Sequence, residues 1–323
     1  VTGAGGSIGS ELVKQCLGFD PSFLILFDQS ENNLFHVENM CNEYANNIGF
    51  QPILGDIRDK DILNSVFSSF RPDVVLHAAA YKHVPMQEQN PWEAVQTNIQ
   101  GTINLVDCAE VFEVERFVLV STDKAVNPTN VMGASKRVAE QVIQARSVDT
   151  KVKYMAVRFG NVIGSSGSVI PTFQEQIKDG GPVTITDPNI KRYFMSINEA
   201  VSLILNSTSL SNKFEIYYLQ MGEQIKIVNI AKKIINLSGY NYTYNINEKG
   251  KSIPIEFVGL KKGEKLEEDL FDDANFETTN NDNILQLNKL FYQIDTMQFD
   301  KELENLKSSI KNNDIENTKI IVK

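Results

Sequence analysis

The first half of the chain alternates short apolar segments with longer segments of helical periodicity, and this pattern constrains the fold more than any other feature. Buried strands are predicted at residues 23–27, 52–54, 74–77, 117–120 and 154–157. Helices are predicted between them, at residues 7–17, 30–46, 62–70, 91–112 and 131–145. Such alternation is typical of a parallel sheet with helices on both faces. We therefore predict an α/β, Rossmann-type doubly wound fold, which binds ligands at the carboxyl ends of its strands.

A glycine-rich segment with the sequence TGAGGSIG leads into the first predicted helix. Gly3 permits a tight turn, Gly6 lets the backbone approach a pyrophosphate, and Gly9 lets the helix pack close to the sheet. Ser7 and Ile8 lie at the helix N-terminus, where N–H groups and the helix dipole favour phosphate. The segment therefore predicts a dinucleotide site.

Residues at the ends of the following strands favour NAD as the dinucleotide. Asp28 lies about nineteen residues after the last of these glycines, where an acid binds the adenosine ribose and repels a 2′-phosphate. The alternative for Asp28 is an acid at the start of a helix. Asp56 and Ile57 follow the third strand, where an acid commonly meets the adenine amino group. Small residues after the fourth strand leave room for the cofactor, namely Ala78, Ala79 and Ala80.

The alternation loosens after residue 164, and stretches rich in Asn and Tyr follow. A chain of 323 residues is long enough for one large or two medium domains. We predict an NAD-binding domain formed by residues 1–164 and 195–220. We predict a smaller substrate lobe formed by residues 165–194 and 221–275, and a polar C-terminal tail at residues 276–323.

Composition excludes several classes of protein. The chain has 31 Lys and Arg against 41 Asp and Glu, a formal charge of −10, whereas nucleic-acid and anionic-membrane binders need a basic surface. Its three cysteines form no CxxC pair and its three histidines lack the spacing of metal ligands, so no metal is expected. No apolar run approaches the ~20 residues that span a bilayer. The chain begins inside the glycine-rich motif without Met, and we expect a fragment of a longer protein.

The segment STDKAVNPTNVMGASKR, at residues 121–137, carries the most specific pattern. The glycine spacing GxxGxxG resembles the extended branch of the short-chain dehydrogenase/reductase superfamily, whose active-site helix carries Tyr-x-x-x-Lys. Met132 and Lys136 occupy those two positions here, on one helical face, and Met cannot exchange a proton. The whole segment resembles the nucleotide-sugar 4,6-dehydratases of the polysaccharide-biosynthesis CapD/PglF/WbpM type, which have Met where their relatives have Tyr. Similar stretches occur at residues 77–85, 157–164, 191–195 and 263–271.

The resemblance implies conversion of UDP-N-acetylglucosamine into a 4-keto-6-deoxy sugar, with retention at carbon 5. Carbon 4 would be oxidised by NAD, water eliminated across carbons 5 and 6, and hydride returned to carbon 6. The family implies Asp123 as the acid toward the carbon-6 hydroxyl, Lys124 as the base at carbon 5, and Thr122 as a partner of the carbon-4 oxygen. Lys136 would hold the nicotinamide ribose. The acceptor of the carbon-4 hydroxyl proton is left open between Asp123 and a water relayed through Thr122.

Further contacts and partners follow from the same resemblance. Asn98 is expected on the cofactor side, as in the superfamily. Substrate contacts are implied for Lys82, His83, Asn161, Arg192, Glu264 and Lys265. Lid and helix-start roles are the alternatives for Arg192 and Glu264. The resemblance also implies a homo-oligomer formed through helices that begin near Pro91 and Val131, and a cytoplasmic catalytic domain of a protein anchored in a bacterial inner membrane.

Three alternatives remain for the activity. One is a dehydratase that inverts carbon 5, and another is a 4-epimerase, which would be expected to carry Tyr at position 132. The third is a noncatalytic NAD-binding sensor or scaffold that has lost its Tyr. The presence of Thr122, Asp123, Lys124 and Lys136 argues against that third alternative.

Overall fold

The computed structural model describes residues 1–45, 47–148, 150–210, 213–248, 250–269, 276–287 and 294–312, with residues 314, 316 and 318. The described helices are α1 (Ser7–Leu17), α2 (Glu31–Tyr44), α3 (Lys60–Phe70), α4 (Val84–Gln89), α5 (Pro91–Ala94), α6 (Gly101–Val111), α7 (Val131–Arg146), α8 (Val169–Lys178), α9 (Ile197–Thr208), α10 (Ile227–Leu237) and α11 (Thr296–Lys311). A π-helical segment (Val95–Gln100) joins α5 to α6, and a 3₁₀ turn (Asp123–Ala125) precedes α7.

The described strands are β1 (Phe23–Asp28), β2 (Gly49–Leu54), β3 (Val74–His77), β4 (Arg116–Val120), β5 (Lys153–Arg158), β6 (Asn161–Ile163), β7 (Val183–Ile185), β8 (Lys191–Arg192), β9 (Phe194–Ser196), β10 (Phe214–Leu219), β11 (Ile225–Lys226), β12 (Asn241–Thr243), β13 (Ser252–Phe257), β14 (Phe276–Thr278) and β15 (Ile284–Leu287). The five strands predicted in the first half of the sequence correspond to β1 to β5.

The central sheet is mostly parallel. Its main part has the order β14-β15-β10-β5-β4-β3, in which β3, β4, β5 and β10 are parallel and β15 and β14 are antiparallel additions. Thr2 forms parallel bridges to Phe27 of β1 and to His77 of β3, and β1 pairs with β2 in parallel. The pair β1-β2 therefore continues the sheet beyond β3. This arrangement confirms the predicted α/β fold of the Rossmann type.

Apolar side chains pack against both faces of this sheet. On one face, Phe117 and Leu119 of β4 are buried together with residues of α3, α6 and α7. On the other face, Val118 of β4 is buried with Leu12 of α1 and Ile204 of α9. Alternate residues of one strand thus serve opposite layers, as the period of two in a strand requires. The helices fix the carboxyl ends of β1, β3, β4 and β5 along one edge.

A separate apolar cluster lies in the second half of the chain. It joins Phe173 and Ile177 of α8 to strands β7 and β13 and to α10. The three-stranded sheet β12-β13-β7 is parallel and lies outside the central sheet. The division into an NAD-binding domain and a substrate lobe stays a prediction. None of the described helices is both long and apolar enough to cross a membrane.

The described part of the predicted C-terminal tail does not stand apart from the rest of the chain. Strand β15 pairs with β10 in the central sheet, and Ile284 and Leu287 are buried there. Phe299 and Leu306 of α11 also join the main apolar core. These few apolar residues are surrounded by Asn and Asp in the sequence, which is why composition alone predicted a polar tail.

Candidate active site

A cavity of about 470 Å³ opens at the carboxyl ends of the central strands. It lies between the glycine-rich loop, the loops after β3, β4 and β5, and the first turns of α7. Most of the residues predicted from the sequence line it, namely Gly3, Gly6, Ser7, Ile8, Gly9, Ala78, Ala80, Lys82, His83, Thr122, Lys124, Met132, Lys136 and Asn161. Burial lowers the pKa of Lys82 and of His83. The cavity thus brings residues from five separate segments into one site.

A second cavity, of about 180 Å³, lies on the other side of the glycine-rich loop. Asp28, Ile57 and Ala79 line it, and it shares Gly3 and Gly6 with the first cavity. The two carboxylate oxygens of Asp28 accept hydrogen bonds from the backbone N–H groups of Gly5 and Ser30, each at 2.8 Å. Asp28 therefore shapes the loop as well as facing the cavity.

Asp56 does not line this second cavity, although Gly55 and Ile57 on either side of it do. Its carboxylate instead accepts hydrogen bonds from the backbone N–H and the Nε of Arg58, at 2.9 and 2.8 Å. Asp56 thus forms an ion pair with a residue two positions later, and its predicted contact with adenine stays a prediction.

Gly3 and Gly9 are two positions of the glycine-rich loop at which the backbone requires glycine. Gly3 has φ +66°, and a Cβ there would lie 2.7 Å from the backbone nitrogen of Ala79. A Cβ at Gly9 would lie 1.9 Å from the backbone oxygen of Gly3. Both positions exclude a side chain, and the loop consequently leaves the N-terminus of α1 open toward the cavities.

Asn98 supports the site from behind, since it lines neither of the two cavities. Its Oδ1 accepts from the backbone N–H of Tyr81 at 2.8 Å, and its Nδ2 donates to the backbone oxygen of Tyr81 and to Ser135 Oγ at 3.1 and 2.9 Å. Its predicted place on the cofactor side stays a prediction. Asn98 ties the loop after β3 to α7, and both of these elements contribute lining residues.

Asp123 and Lys124 form a buried pair directly after β4. Asp123 is 1% exposed, and its Oδ1 accepts hydrogen bonds from Thr122 Oγ1 and Lys124 Nζ, both at 2.9 Å. Its Oδ2 accepts no hydrogen bond from any residue that the structure describes. Gly160, which lines the cavity, lies against this oxygen, because a Cβ at Gly160 would come within 3.1 Å of it. Asp123 itself does not line the cavity, so the site holds a buried carboxylate oxygen with an unused acceptor position behind Gly160.

Two carboxylates determine the charge of Lys124. Burial by itself lowers the pKa of the ammonium group, but the charges of Asp123 and Glu268 outweigh burial and raise the pKa. Lys124 Nζ lies 3.6 Å from Glu268 Oε1 and donates to Asn161 Oδ1 at 3.3 Å. Lys124 is therefore an ammonium ion in this state of the protein, and Asp123 is its counter-ion.

Lys136 behaves differently, although it lines the same cavity. It is 4% exposed and has no hydrogen-bond or ion-pair partner among the described residues. Burial lowers the pKa of its ammonium group to about 8, against the smaller opposing effect of Glu140. The cavity thus contains two lysines whose pKa values move in opposite directions, one paired with acids and one exposed only to the cavity.

The position of α7 depends on two caps at its first turn. Asn130 Oδ1 accepts from the backbone N–H of Gly133 at 2.8 Å, and Glu88 Oε1 accepts from that of Val131 at 2.7 Å. Side-chain oxygens at these positions satisfy N–H groups that have no partner within the helix. The caps hold Met132 at the cavity, four residues before Lys136.

Arg192 and Glu264 were predicted to bind substrate, but the structure places both behind the cavity wall. Arg192 donates to the backbone oxygens of Lys265 and Leu266 at 2.8 and 3.1 Å. Glu264 accepts from Thr186 Oγ1 at 3.1 Å and lies 3.6 Å from Arg192. Their polar atoms are occupied in holding this segment of the chain, and neither side chain lines the cavity.

Lys265 takes part in the same supporting contacts. Its Nζ donates to the backbone oxygens of Val126 and Asn127 at 3.4 and 3.0 Å. Asn130 Nδ2 also donates to the backbone oxygen of Gly263 at 3.1 Å. Lys265 thus connects this segment to the loop that follows the Asp123–Lys124 pair, and its predicted substrate contact stays a prediction.

Sequence reasoning missed a second buried ion pair, which lies beneath the site. Arg158 Nε and Nη2 donate to the two carboxylate oxygens of Glu140 at 2.7 and 2.6 Å, and Arg158 is fully buried. Ser121 Oγ donates to the same carboxylate at 2.6 Å. The pair thus joins α7 to β5 and to Ser121, the residue that follows β4. No group of three or more His, Cys, Asp or Glu among the described residues is arranged to hold a metal ion.

Comparison with known proteins places this chain in a family. The family model described as polysaccharide biosynthesis protein matches residues 1–289. The chain belongs to this family. The capsular polysaccharide biosynthesis protein CapD of Staphylococcus aureus is 49% identical over 272 residues, which are 84% of this chain and 44% of CapD. An inverting UDP-N-acetylglucosamine 4,6-dehydratase of Campylobacter jejuni is 31% identical over 273 residues, 83% of this chain and 75% of that protein.

Solved structures show the same fold. Pen from Bacillus thuringiensis has a TM-score of 0.78 at 32% identity, covering 88% of this chain and 85% of Pen. The dTDP-glucose 4,6-dehydratase DesIV from Streptomyces venezuelae, solved with NAD bound, has a TM-score of 0.72 over 84% of this chain and 88% of DesIV. At 23% identity, DesIV supports the fold alone. The chain spans less than half the length of CapD.

Proposed function

We propose that this chain is an NAD-dependent UDP-N-acetylglucosamine 4,6-dehydratase, a lyase that retains the configuration at carbon 5 and serves surface polysaccharide or glycan synthesis. The buried Asp123–Lys124 pair at the cavity carries the proposal. Elimination of water across two neighbouring carbons needs an acid and a base within reach of one substrate. The similarity to the Campylobacter jejuni dehydratase supports the choice of substrate, and the similarity to CapD supports the biosynthetic role.

The residues around the glycine-rich loop fit NAD. The loop has no room for side chains at Gly3 and Gly9, and the N-terminus of α1 opens toward the cavities. Asp28 lines the second cavity, and each of its oxygens accepts one backbone hydrogen bond and retains a further lone pair for a ribose hydroxyl. Lys136 would hold the nicotinamide ribose. When bound, NAD supplies the reversible hydride acceptor that oxidises carbon 4 and later reduces carbon 6.

Thr122 is placed to guide the first proton. Its hydroxyl lines the cavity and donates to Asp123 Oδ1, so it can orient a water that takes the carbon-4 hydroxyl proton to solvent. Met132, at the position where relatives have Tyr, cannot accept this proton. The Asp123 carboxylate must remain free for the elimination step, so we assign the carbon-4 hydroxyl proton to this water.

One proton is shared by the Asp123–Lys124 pair during elimination. Transfer from Lys124 Nζ to the Asp123 carboxylate, over 2.9 Å, gives a neutral amine and a carboxylic acid together. The amine then takes the carbon-5 proton, and Asp123 delivers its proton to the departing carbon-6 hydroxyl, which leaves as water. The pair thereby returns to its initial charges. Lys124 gives a proton back to carbon 5 from the same side, which retains the configuration. The neutral amine of Lys124 then takes up a proton from solvent and becomes an ammonium ion again.

The product formed in deuterated water tests this proposal. UDP-N-acetylglucosamine and the NAD-loaded protein should give a 4-keto-6-deoxy sugar with deuterium and unchanged configuration at carbon 5, as read by NMR. Lys124→Ala should abolish the product while NAD remains bound. Lys151→Ala, at a lysine that is 93% exposed, is the matched control and should behave as wild type.

The other outcomes of this assay identify the alternatives. Inverted configuration at carbon 5 indicates the inverting dehydratase, and a carbon-4 epimer indicates an epimerase. NAD binding without any turnover indicates the noncatalytic protein and contradicts the proposal. The homo-oligomer and the cytoplasmic, membrane-anchored context predicted from the sequence stay predictions.

A further inference from the structure

Glu268 occupies an unusual place for an acidic residue. It is 5% exposed, lies in the segment after β13, and does not line the cavity. Its Oε1 lies 3.6 Å from Lys124 Nζ and 3.7 Å from Arg192 Nε. Its backbone oxygen accepts a hydrogen bond from Gln224 Nε2 at 2.8 Å, which fixes the segment from the other side. A buried carboxylate therefore stands between two cations, one of which is the proposed base.

The charges around Glu268 alternate in sign from the cavity into the supporting segment. Asp123 is followed by Lys124, then Glu268, then Arg192, with Glu264 as the last member at 3.6 Å from Arg192. Each inner member of this series lies within 3.7 Å of an opposite charge on both sides. Buried charges remain ionised when they are paired in this way, since each one offsets the desolvation of its neighbours.

The groups that face Lys124 are few and can be named. Asp123 belongs to its own turn, Glu268 comes from the segment after β13, and Asn161 comes from β6. Among the residues that the structure describes, Arg192, from β8, is a nearby cation that opposes the charge of Lys124. Removing Glu268 would leave Arg192 without one of its acids and Lys124 with a single counter-ion.

We propose that Glu268 is a positioning residue for Lys124: its carboxylate, 3.6 Å from Nζ, holds the Lys124 ammonium at the cavity wall beside Asp123. The negative charge of Glu268 thereby helps to keep Lys124 protonated into alkaline solution. The activity part of this inference rests on the proposed dehydratase function, whereas the effect on the titration of Lys124 does not. In the proposed reaction, a pair that has lost its proton cannot supply the acid. Glu268 therefore extends the pH range over which the pair can work.

The test compares the titration of Lys124 in the wild type and in Glu268→Gln. Lysine labelled with ¹⁵N at Nζ is followed by NMR in the NAD-loaded protein, and the signal of Lys124 is assigned by its loss in Lys124→Arg. Loss of one adjacent opposite charge should move the titration midpoint to lower pH by about one pH unit. Glu267→Gln is the matched control, because Glu267 is the neighbouring residue, is 54% exposed and pairs with Lys191. Its midpoint should equal that of the wild type.

The activity of the same variants gives a second, independent result. If the midpoint falls by about one pH unit, Glu268→Gln should be about tenfold less active than the wild type in alkaline solution, and at neutral pH the two should differ far less. A residue that only maintained the fold would reduce activity equally at all pH values. Glu268→Asp keeps the charge but moves it away from Nζ, so its midpoint should fall between those of the wild type and the Gln variant.

The outcomes separate the two proposals. A midpoint that is unchanged in both Glu268→Gln and Glu268→Asp overturns the role of Glu268. Should the Gln variant not fold, as judged by circular dichroism, the Asp variant decides alone, since its midpoint must still fall. A midpoint that falls on substitution of Glu268, in a protein whose wild type makes no 4-keto-6-deoxy product, supports the role of Glu268 and contradicts the dehydratase function.

Discussion

The buried Glu140–Arg158 pair gives the sharpest prediction for stability. Changing Glu140 to Gln leaves the fully buried Arg158 guanidinium without its two charged hydrogen bonds, at 2.7 and 2.6 Å, and weakens the acceptor of Ser121. Removing one partner of a buried ion pair typically costs about 3–5 kcal/mol, because the remaining charge stays desolvated. Since whole domains are stable by about 5–15 kcal/mol, Glu140→Gln should lose a large part of the free energy of unfolding.

Urea unfolding at pH 7, with the same NAD concentration for every variant, measures this loss. Glu113→Gln is the matched control, because Glu113 lies 3.7 Å from Lys151 and the two side chains are 78% and 93% exposed. An exposed pair of this kind should change the free energy of unfolding by less than about 1 kcal/mol. The double variant Glu140→Leu with Arg158→Met removes both charges and should be more stable than Glu140→Gln.

The same pair predicts a pH dependence. Burial by itself would raise the pKa of Glu140, but Arg158, Arg137 and Ser121 outweigh it and lower the pKa below the ordinary value of 4.5. A lowered folded-state pKa stabilises the protein above pH 4.5, and this stabilisation is lost as pH falls through the folded-state pKa. The difference between wild type and Glu140→Gln should therefore shrink in acid. A difference of less than about 1 kcal/mol at pH 7 would refute the reasoning.

Two further substitutions test the site itself. Gly133→Ala would place a Cβ 2.1 Å from the backbone oxygen of Lys124, so it should displace the turn that carries Asp123 and Lys124 and abolish turnover. Gly18→Ala is the control: Gly18 has φ −72°, its Cβ would lie 3.2 Å from the nearest atom, and turnover in the same product assay should stay unchanged. Lys136→Met should abolish turnover yet raise the free energy of unfolding near neutral pH by up to about 3 kcal/mol, since burial lowers the pKa of Lys136 from 10.5 to about 8. The free energy of unfolding of the wild type should rise as pH increases from about 8 to 10.5, because the unfolded chain binds more protons than the folded protein in this range. Urea unfolding of Lys136→Met should show no such rise.

Local patterns made the central part of the fold predictable from the sequence. The strands β1 to β5 are short apolar segments whose neighbours have helical periodicity, and such a signal needs no knowledge of distant residues. The glycine-rich loop was predictable for a similar reason. Backbone approaches backbone so closely at Gly3 and Gly9 that only glycine fits, and the spacing of these glycines is visible in the sequence. Strands β14 and β15 were missed, since their few buried residues lie among Asn and Asp.

The supporting contacts of the site could not be predicted from local patterns. Arg192 and Glu264 have the residue types that bind phosphate and sugar, but their partners come from distant segments and occupy them behind the cavity wall. Asn98 likewise has its amide used by Tyr81 and Ser135. Glu268 lies only four residues after Glu264, and nothing in the local sequence marks it as the acid beside Lys124. The choice between them depends on tertiary contacts and not on spacing.

The fate of the hydrogen on carbon 4 of the substrate tests the proposed function most directly. UDP-N-acetylglucosamine carrying deuterium at carbon 4 is incubated with the NAD-loaded protein in ordinary water, and the product is analysed by NMR and mass spectrometry. The dehydratase predicts a 4-keto-6-deoxy product that retains the deuterium at carbon 6, without consumption of any external reductant. Deuterium recovered at carbon 4 of an epimer, or substrate returned unchanged by a protein that binds NAD, would contradict the proposal.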